Sequence, residues 1–173
     1  MGYACDHHFK NCFIATIRGI NYAYYVVHEI GHMIGADHDF SPKIFCDING
    51  VMSHFQLPEY YFRWSNCSNH MISTFLNTND ARCLFNEPKD IIWDPKNDRS
   101  VPGDIYNADT QCSQSYGPKY RPSVRAGYEL TCAQLHCDYD LLTLVTRPPP
   151  PLEGTECITS DNRRGKCSIG QCL

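Results

Sequence analysis

His28-Glu29-Ile30-Gly31-His32-Met33-Ile34-Gly35-Ala36-Asp37-His38-Asp39 reads H-E-x-x-H-x-x-G-x-x-H-D. On a helix, His28 and His32 stand one turn apart, so both imidazoles project from the same face and can share one metal ion. Glu29 lies one position round, beside the metal, where a carboxylate can take a proton from a metal-bound water. Gly35 can adopt a positive φ, end the helix and turn the chain. The turn brings His38 back as a third ligand. Three histidine nitrogens leave the fourth position of a tetrahedral zinc open to water, which is the arrangement of a catalytic rather than a closed structural site. A bare H-E-x-x-H occurs in many unrelated helices; Gly35, His38 and Asp39 at set spacing make the longer pattern specific.

Upstream of the motif, Ala23, Val26, Val27, Ile30 and Ile34 recur at three- and four-residue steps and predict a helix over 20–34 with Asn21 as its N-cap. That apolar stripe needs a surface to pack on, and nothing earlier in the chain is long enough to supply a sheet. Residues 1–19 read as a loop holding Cys5 and Cys12, with His7 and His8 as solvated loop residues. Downstream, Asn49-Gly50 is a turn signal, and Met52 follows the third histidine by fourteen residues. A methionine-bearing turn beneath the metal accompanies the long motif in zinc proteases. A second helix is expected from about Asn69 to Leu76, with Met71, Ile72, Phe75 and Leu76 on its buried side. Asn66-Cys67-Ser68 matches the N-x-S acceptor pattern, with an expected disulfide cysteine at its centre.

The 173 residues are 42% hydrophobic and 20% charged, the balance of a folded chain, and the formal net charge of −4 gives no electrostatic reason to expect nucleic acid. No apolar run approaches a membrane span. Eleven cysteines imply disulfides and an oxidising, extracellular compartment. The first residues carry no apolar signal-peptide core, so the expectation is that the chain lacks its natural beginning, and the odd cysteine count points the same way. Prolines 88, 95 and 102 punctuate a polar stretch that reads as a linker. Beyond it, Cys112, Cys132, Cys137, Cys157, Cys167 and Cys172 fall in a region too poor in apolar segments to fold without staples. Pro148, Pro149, Pro150 and Pro151 read as a stiff polyproline II spacer in a surface loop.

The motif at residues 28–39, together with Met52, resembles the reprolysin (adamalysin) branch of the metzincin zinc endopeptidases; the aspartate after the third histidine points to that branch. Val101-Pro102-Gly103-Asp104-Ile105-Tyr106-Asn107-Ala108-Asp109-Thr110-Gln111-Cys112 and the closing Gly154-Thr155-Glu156-Cys157 and Lys166-Cys167-Ser168-Ile169-Gly170-Gln171-Cys172 resemble the disintegrin-like region of ADAMTS-type proteases. The proline-rich tail is also similar to salivary metalloproteases of blood-feeding ticks. The resemblance implies an α+β fold in which the C-terminal part of a metzincin catalytic domain (active-site helix, Met-turn, C-terminal helix) precedes a small disulfide-rich disintegrin-like domain. The boundaries expected are a partial reprolysin-type metalloprotease domain at 1–86, a linker at 87–102 and a disintegrin-like/cysteine-rich domain at 103–173.

The same resemblance implies the disulfides Cys5–Cys83, Cys46–Cys67, Cys112–Cys137, Cys132–Cys167 and Cys157–Cys172. It pairs Cys12 with an upstream cysteine that this chain does not contain, which would leave Cys12 as the odd, unpaired thiol. A surface calcium is implied near Cys83 and Asn86. There is no RGD triplet, so integrin binding by that route is unsupported. The implied function is a secreted zinc-dependent endopeptidase acting on extracellular or host proteins. Zinc would sit on His28, His32 and His38 with Glu29 as general base, and the segment through His54 and Phe55 would line the pocket for the residue just past the cut bond. Such proteases hold substrate against a sheet edge lying before the motif, so the chain as given is expected to show little or no peptidase activity. The alternative is a catalytically incomplete fragment working as a cysteine-rich binding module.

Overall fold

The computed structural model describes residues 4–5, 11–41, 44–45, 49–54, 61–86, 100–127, 130–140, 143, 145 and 148–173. The chain divides into two units, one formed by Met1–Thr16 and Tyr24–Pro95, the other by Ile17–Ala23 and Lys96–Leu173. Residues 17–23, which the motif-based boundaries place in the first domain, therefore cluster with the second unit. Most of the proline-punctuated linker, 87–99, lies outside the described residues, as do His7, His8, Cys46 and Phe55. No helix among the described residues is long and apolar enough to cross a membrane.

In the first unit, helix α1 (Ala23–Met33) carries the first two motif histidines. It ends as the glycine signal predicts. Gly35 has φ of 101°, and the Ala36 N–H donates back to the Gly31 carbonyl at 2.9 Å. The expected apolar stripe is only partly covered, with Val27 39% and Ile30 41% exposed. A short antiparallel pair follows, β1 (Phe40–Ser41) with β2 (Ile44–Phe45), Phe40 opposite Phe45. Helix α2 (Asn66–Leu76) starts three residues before its expected start. Ser65 is its N-cap, and the hydroxyl accepts from the Ser68 N–H at 3.0 Å. The polar run that reads as loop is thus the first turn of the helix. A 3-10 segment, Asn79–Phe85, follows α2, and its Cys83 is bonded to Cys5. Cys67 is disulfide-bonded, and Cys12 stands exposed as a thiol.

Asn21 is not the cap of the first helix. A 3-10 turn at Ile20–Tyr22 precedes α1, Gly19 sits at its cap position, and Asn21 is buried with its side-chain oxygen accepting from the Ser115 hydroxyl at 2.9 Å. An amide with a partner far along the chain outweighs the local capping preference, which is worth only about 1 kcal/mol. The Tyr22 and Tyr116 hydroxyls lie 2.7 Å apart in the same unit.

The second unit contains α3 (Pro102–Ile105), α4 (Ala108–Tyr116), the pair β3 (Arg121–Pro122) with β4 (Cys137–Asp138), and a three-stranded antiparallel sheet. That sheet is β5 (Glu156–Ile158), β6 (Arg164–Ser168) and β7 (Gln171–Cys172), with β6 in the middle. Its core is largely sulfur. Cys112 and Cys137 enclose Leu135, and a second cluster joins Cys132, Cys157 and Cys167. The bridges are Cys112–Cys137, Cys132–Cys167 and Cys157–Cys172. The sulfurs of Cys132, Cys157 and Cys172 lie close enough to suggest a metal cluster, but all three are spent in those bridges.

The four prolines are not a surface spacer. Residues 148–151 are all buried, and the Pro149 carbonyl accepts from the Leu135 N–H at 3.0 Å. Proline has no N–H, so an extended proline run enters a core without leaving buried donors unmatched. Gln111 ties this core together. Its amide donates to the Tyr106 carbonyl at 2.6 Å and to the Thr155 hydroxyl at 2.8 Å, and it accepts from the Leu152 N–H at 3.0 Å. Gln111→Ala strands those buried groups. The expected result is a loss of about 3 kcal/mol for this unit, read as an earlier midpoint in chemical denaturation.

Candidate metal centre

The three motif histidines converge. His38 Nε2 lies 3.2 Å from His28 Nε2 and 3.2 Å from His32 Nε2. The tautomers follow from the outer nitrogens. His28 Nδ1 is 2.8 Å from the Val51 carbonyl, and His32 Nδ1 is 2.9 Å from the Ala36 carbonyl. A carbonyl only accepts, so each Nδ1 carries the proton and a neutral ring leaves Nε2 bare. Bare nitrogens facing one another at this range repel unless a cation sits among them. Zinc–nitrogen bonds of 2.0–2.1 Å set tetrahedral nitrogen separations of roughly 3.3 Å, so the donor set suits zinc in both element and spacing. His38 is kept neutral by its surroundings. Burial, then His54, then the other two histidines lower its pKa to about 4, against a smaller opposing pull from Asp37. A neutral imidazole is the form that binds metal.

The elements around the site explain why the ligands meet. His28 and His32 share one face of α1, and the glycine turn delivers His38. The segment 49–54 passes beneath. Ser53 N–H closes a turn on the Gly50 carbonyl at 2.9 Å, the Met52 carbonyl accepts from the Asp39 N–H at 3.0 Å, and Val51 supplies the carbonyl for His28. Met52 is fully buried. Gly31 has a role that the motif does not announce. A Cβ there would lie 2.5 Å from the Met52 sulfur and 2.9 Å from the Trp64 ring, so the helix can press onto the methionine turn only without a side chain at this position.

Asp39 is wholly buried and anchors the second helix to the motif. Its Oδ1 accepts from the Ser65 hydroxyl and from the Ser68 hydroxyl at 2.8 Å, and Ser65 is the cap of α2. The aspartate after the third histidine therefore joins helix cap and metal loop in one hydrogen-bonded group. Ser68 shows no special signal in the sequence beyond the N-x-S pattern, and its hydroxyl is committed to Asp39. His54, which sequence reasoning places only in the substrate pocket, is exposed and its ring meets that of His38 at a tilt, ring centroids 4.0 Å apart. Asn86 and Cys83, the residues expected at a calcium, are joined by an Asn86 N–H to Cys83 carbonyl bond of 3.3 Å.

Three histidines thus converge on a helix and a glycine turn, over a buried methionine, as the metzincin resemblance leads one to expect. A family model described as Reprolysin (M12B) family zinc metalloprotease matches residues 2–88, and one described as ADAMTS cysteine-rich domain 2 matches residues 102–173. The chain belongs to the reprolysin (M12B) family of zinc metalloproteases. It is similar to a human protein called a disintegrin and metalloproteinase with thrombospondin motifs 6, 33% identical over 95% of this chain and 15% of the relative. The human protein of the same series numbered 10 is 29% identical over the whole chain and 16% of its own length. The bovine protein numbered 5 is 32% identical over 87% of this chain and 72% of the relative. The chain thus spans about a sixth or less of the first human relatives that it matches.

Proposed function

We propose that the chain carries the zinc-binding and proton-transfer part of a secreted metalloendopeptidase that hydrolyses extracellular proteins. The observation that carries this reading is the meeting of three histidine Nε2 atoms whose Nδ1 atoms are tied to carbonyls. His28, His32 and His38 would hold zinc. When bound, zinc supplies Lewis acidity to the scissile carbonyl and to the attacking water. Glu29, next to His28 on α1, takes the proton of the attacking water and returns it to the leaving amine. His54 and the segment after Met52 border the place where the residue beyond the cut bond would lie.

Four complete disulfides among the described residues support an oxidising, extracellular setting. A calcium at Cys83 and Asn86 belongs to the same reading, since the Cys83 carbonyl keeps a second lone pair for it. Peptide cleavage by the chain as it stands is expected to be slight. The described strands of the first unit, β1 and β2, have two residues each and offer little edge on which a substrate could add as a strand.

The test is zinc analysis together with Glu29→Ala. The chain is expected to bind one zinc that a chelator removes, and the variant is expected to keep it. Any chelator-sensitive hydrolysis by the wild type should fall by roughly 10²- to 10⁴-fold, the usual worth of a general base. Equal turnover in the variant would remove Glu29 from the mechanism.

A further inference from the structure

The third ligand is held differently from the other two. His28 and His32 each have a backbone carbonyl fixing the ring through Nδ1. Among the described residues, the ring of His38 makes hydrogen-bond-range contacts only through Nε2, with the other two ligands, while its backbone N–H donates to Asp37 Oδ1 at 2.8 Å. His38 also lies on the stretch after the helix, so no helical backbone sets its direction. What does meet its ring is His54, with centroids 4.0 Å apart and planes inclined by 44°. His54 is itself well placed. It follows buried Met52 and Ser53, and the Gly50–Ser53 turn that holds them also presents the carbonyl that fixes His28.

We propose that His54 is a positioning residue for the metal centre, packing its ring against His38 and setting the orientation in which that imidazole meets the metal. Ring contact does for His38 what a carbonyl does for each of the other ligands. His54 is not a fourth ligand in this arrangement, because the nitrogens that converge among the described residues are those of His28, His32 and His38 alone. The proposal rests on the reading of those three residues as zinc ligands. It makes a chemical distinction: a flat ring at position 54 suffices, and a nitrogen there is not needed. Loss of a group that orients a metal ligand generally weakens metal binding 10- to 100-fold.

The experiment measures zinc affinity by competition with a chromophoric chelator, and the visible spectrum of the cobalt-substituted chain, for wild type, His54→Ala and His54→Phe. Position 54 is exposed, so the variants are expected to fold as the wild type does. The expected result is a roughly tenfold or greater loss of affinity and an altered cobalt spectrum in His54→Ala, with both restored in His54→Phe. Unchanged affinity and spectrum in His54→Ala would overturn the proposal while leaving the zinc reading intact. Equal loss in both variants would also overturn it, by showing that the nitrogen is required. A wild-type chain that binds no zinc would refute the ligand assignment, and this proposal with it.

Discussion

His32→Ala is expected to lower zinc affinity on the order of a thousandfold, the largest single-site effect in the molecule. Zinc sites in small domains bind with apparent free energies of 10–16 kcal/mol shared among their ligands, so one ligand of three carries several kcal/mol. Both nitrogens of His32 are engaged, Nε2 with His38 and Nδ1 with the Ala36 carbonyl. Competition titration reads the affinity directly. A second readout is thermal. Zinc that binds only the folded chain raises its stability in proportion to the logarithm of free metal over Kd. The wild type should therefore gain thermal stability on adding zinc, and His32→Ala should gain almost none. Without metal the variant loses the bond to the Ala36 carbonyl but is relieved of the crowding of bare nitrogens, so its stability should stay within about 1 kcal/mol of the wild type. An affinity equal to wild type would show that these histidines do not hold the metal.

The double variant Cys132→Ala with Cys167→Ala is expected to cost the second unit about 4 kcal/mol, from the loop entropy of a bridge spanning 35 residues. That is close to all the stability a domain of this size has. The bridge lies at the centre of one of its two clusters, and it pins β6 to the strand-free stretch around Cys132. Loss of this bridge also removes buried sulfur from a core with few apolar side chains to compensate. The unit should lose its cooperative unfolding transition in calorimetry, while the spectrum of cobalt bound to His28, His32 and His38 persists. A retained transition within a degree or two of wild type would show that the core, not the bridge, holds this unit.

The meeting of the three motif histidines was readable in the sequence because their geometry is local. A four-residue step on a helix, and a glycine free to take a positive φ, fix where His28, His32 and His38 can point with little help from distant residues. The end of α1 follows from the same local chemistry. The start of α2 did not, because Ser65 acts as a cap only when its neighbours are helical, and Asn66, Cys67 and Ser68 carry no apolar period to reveal that. Asn21 departs from its capping preference for a related reason: capping is local, and its buried partner, Ser115, is ninety-four residues away.

Residue types and spacings pointed to the family and to the oxidised state of the cysteines. These follow from covalent connectivity and helical periodicity. Tertiary structure alone decided that Val51 and Ala36 fix the histidine tautomers, that Gly31 is small to admit Met52 and Trp64, and that His54 lies on His38. It also turned the proline run from an expected spacer into core. Each of these depends on which distant group fills the space beside a residue, and that is set by packing between segments rather than by the order of residues within one.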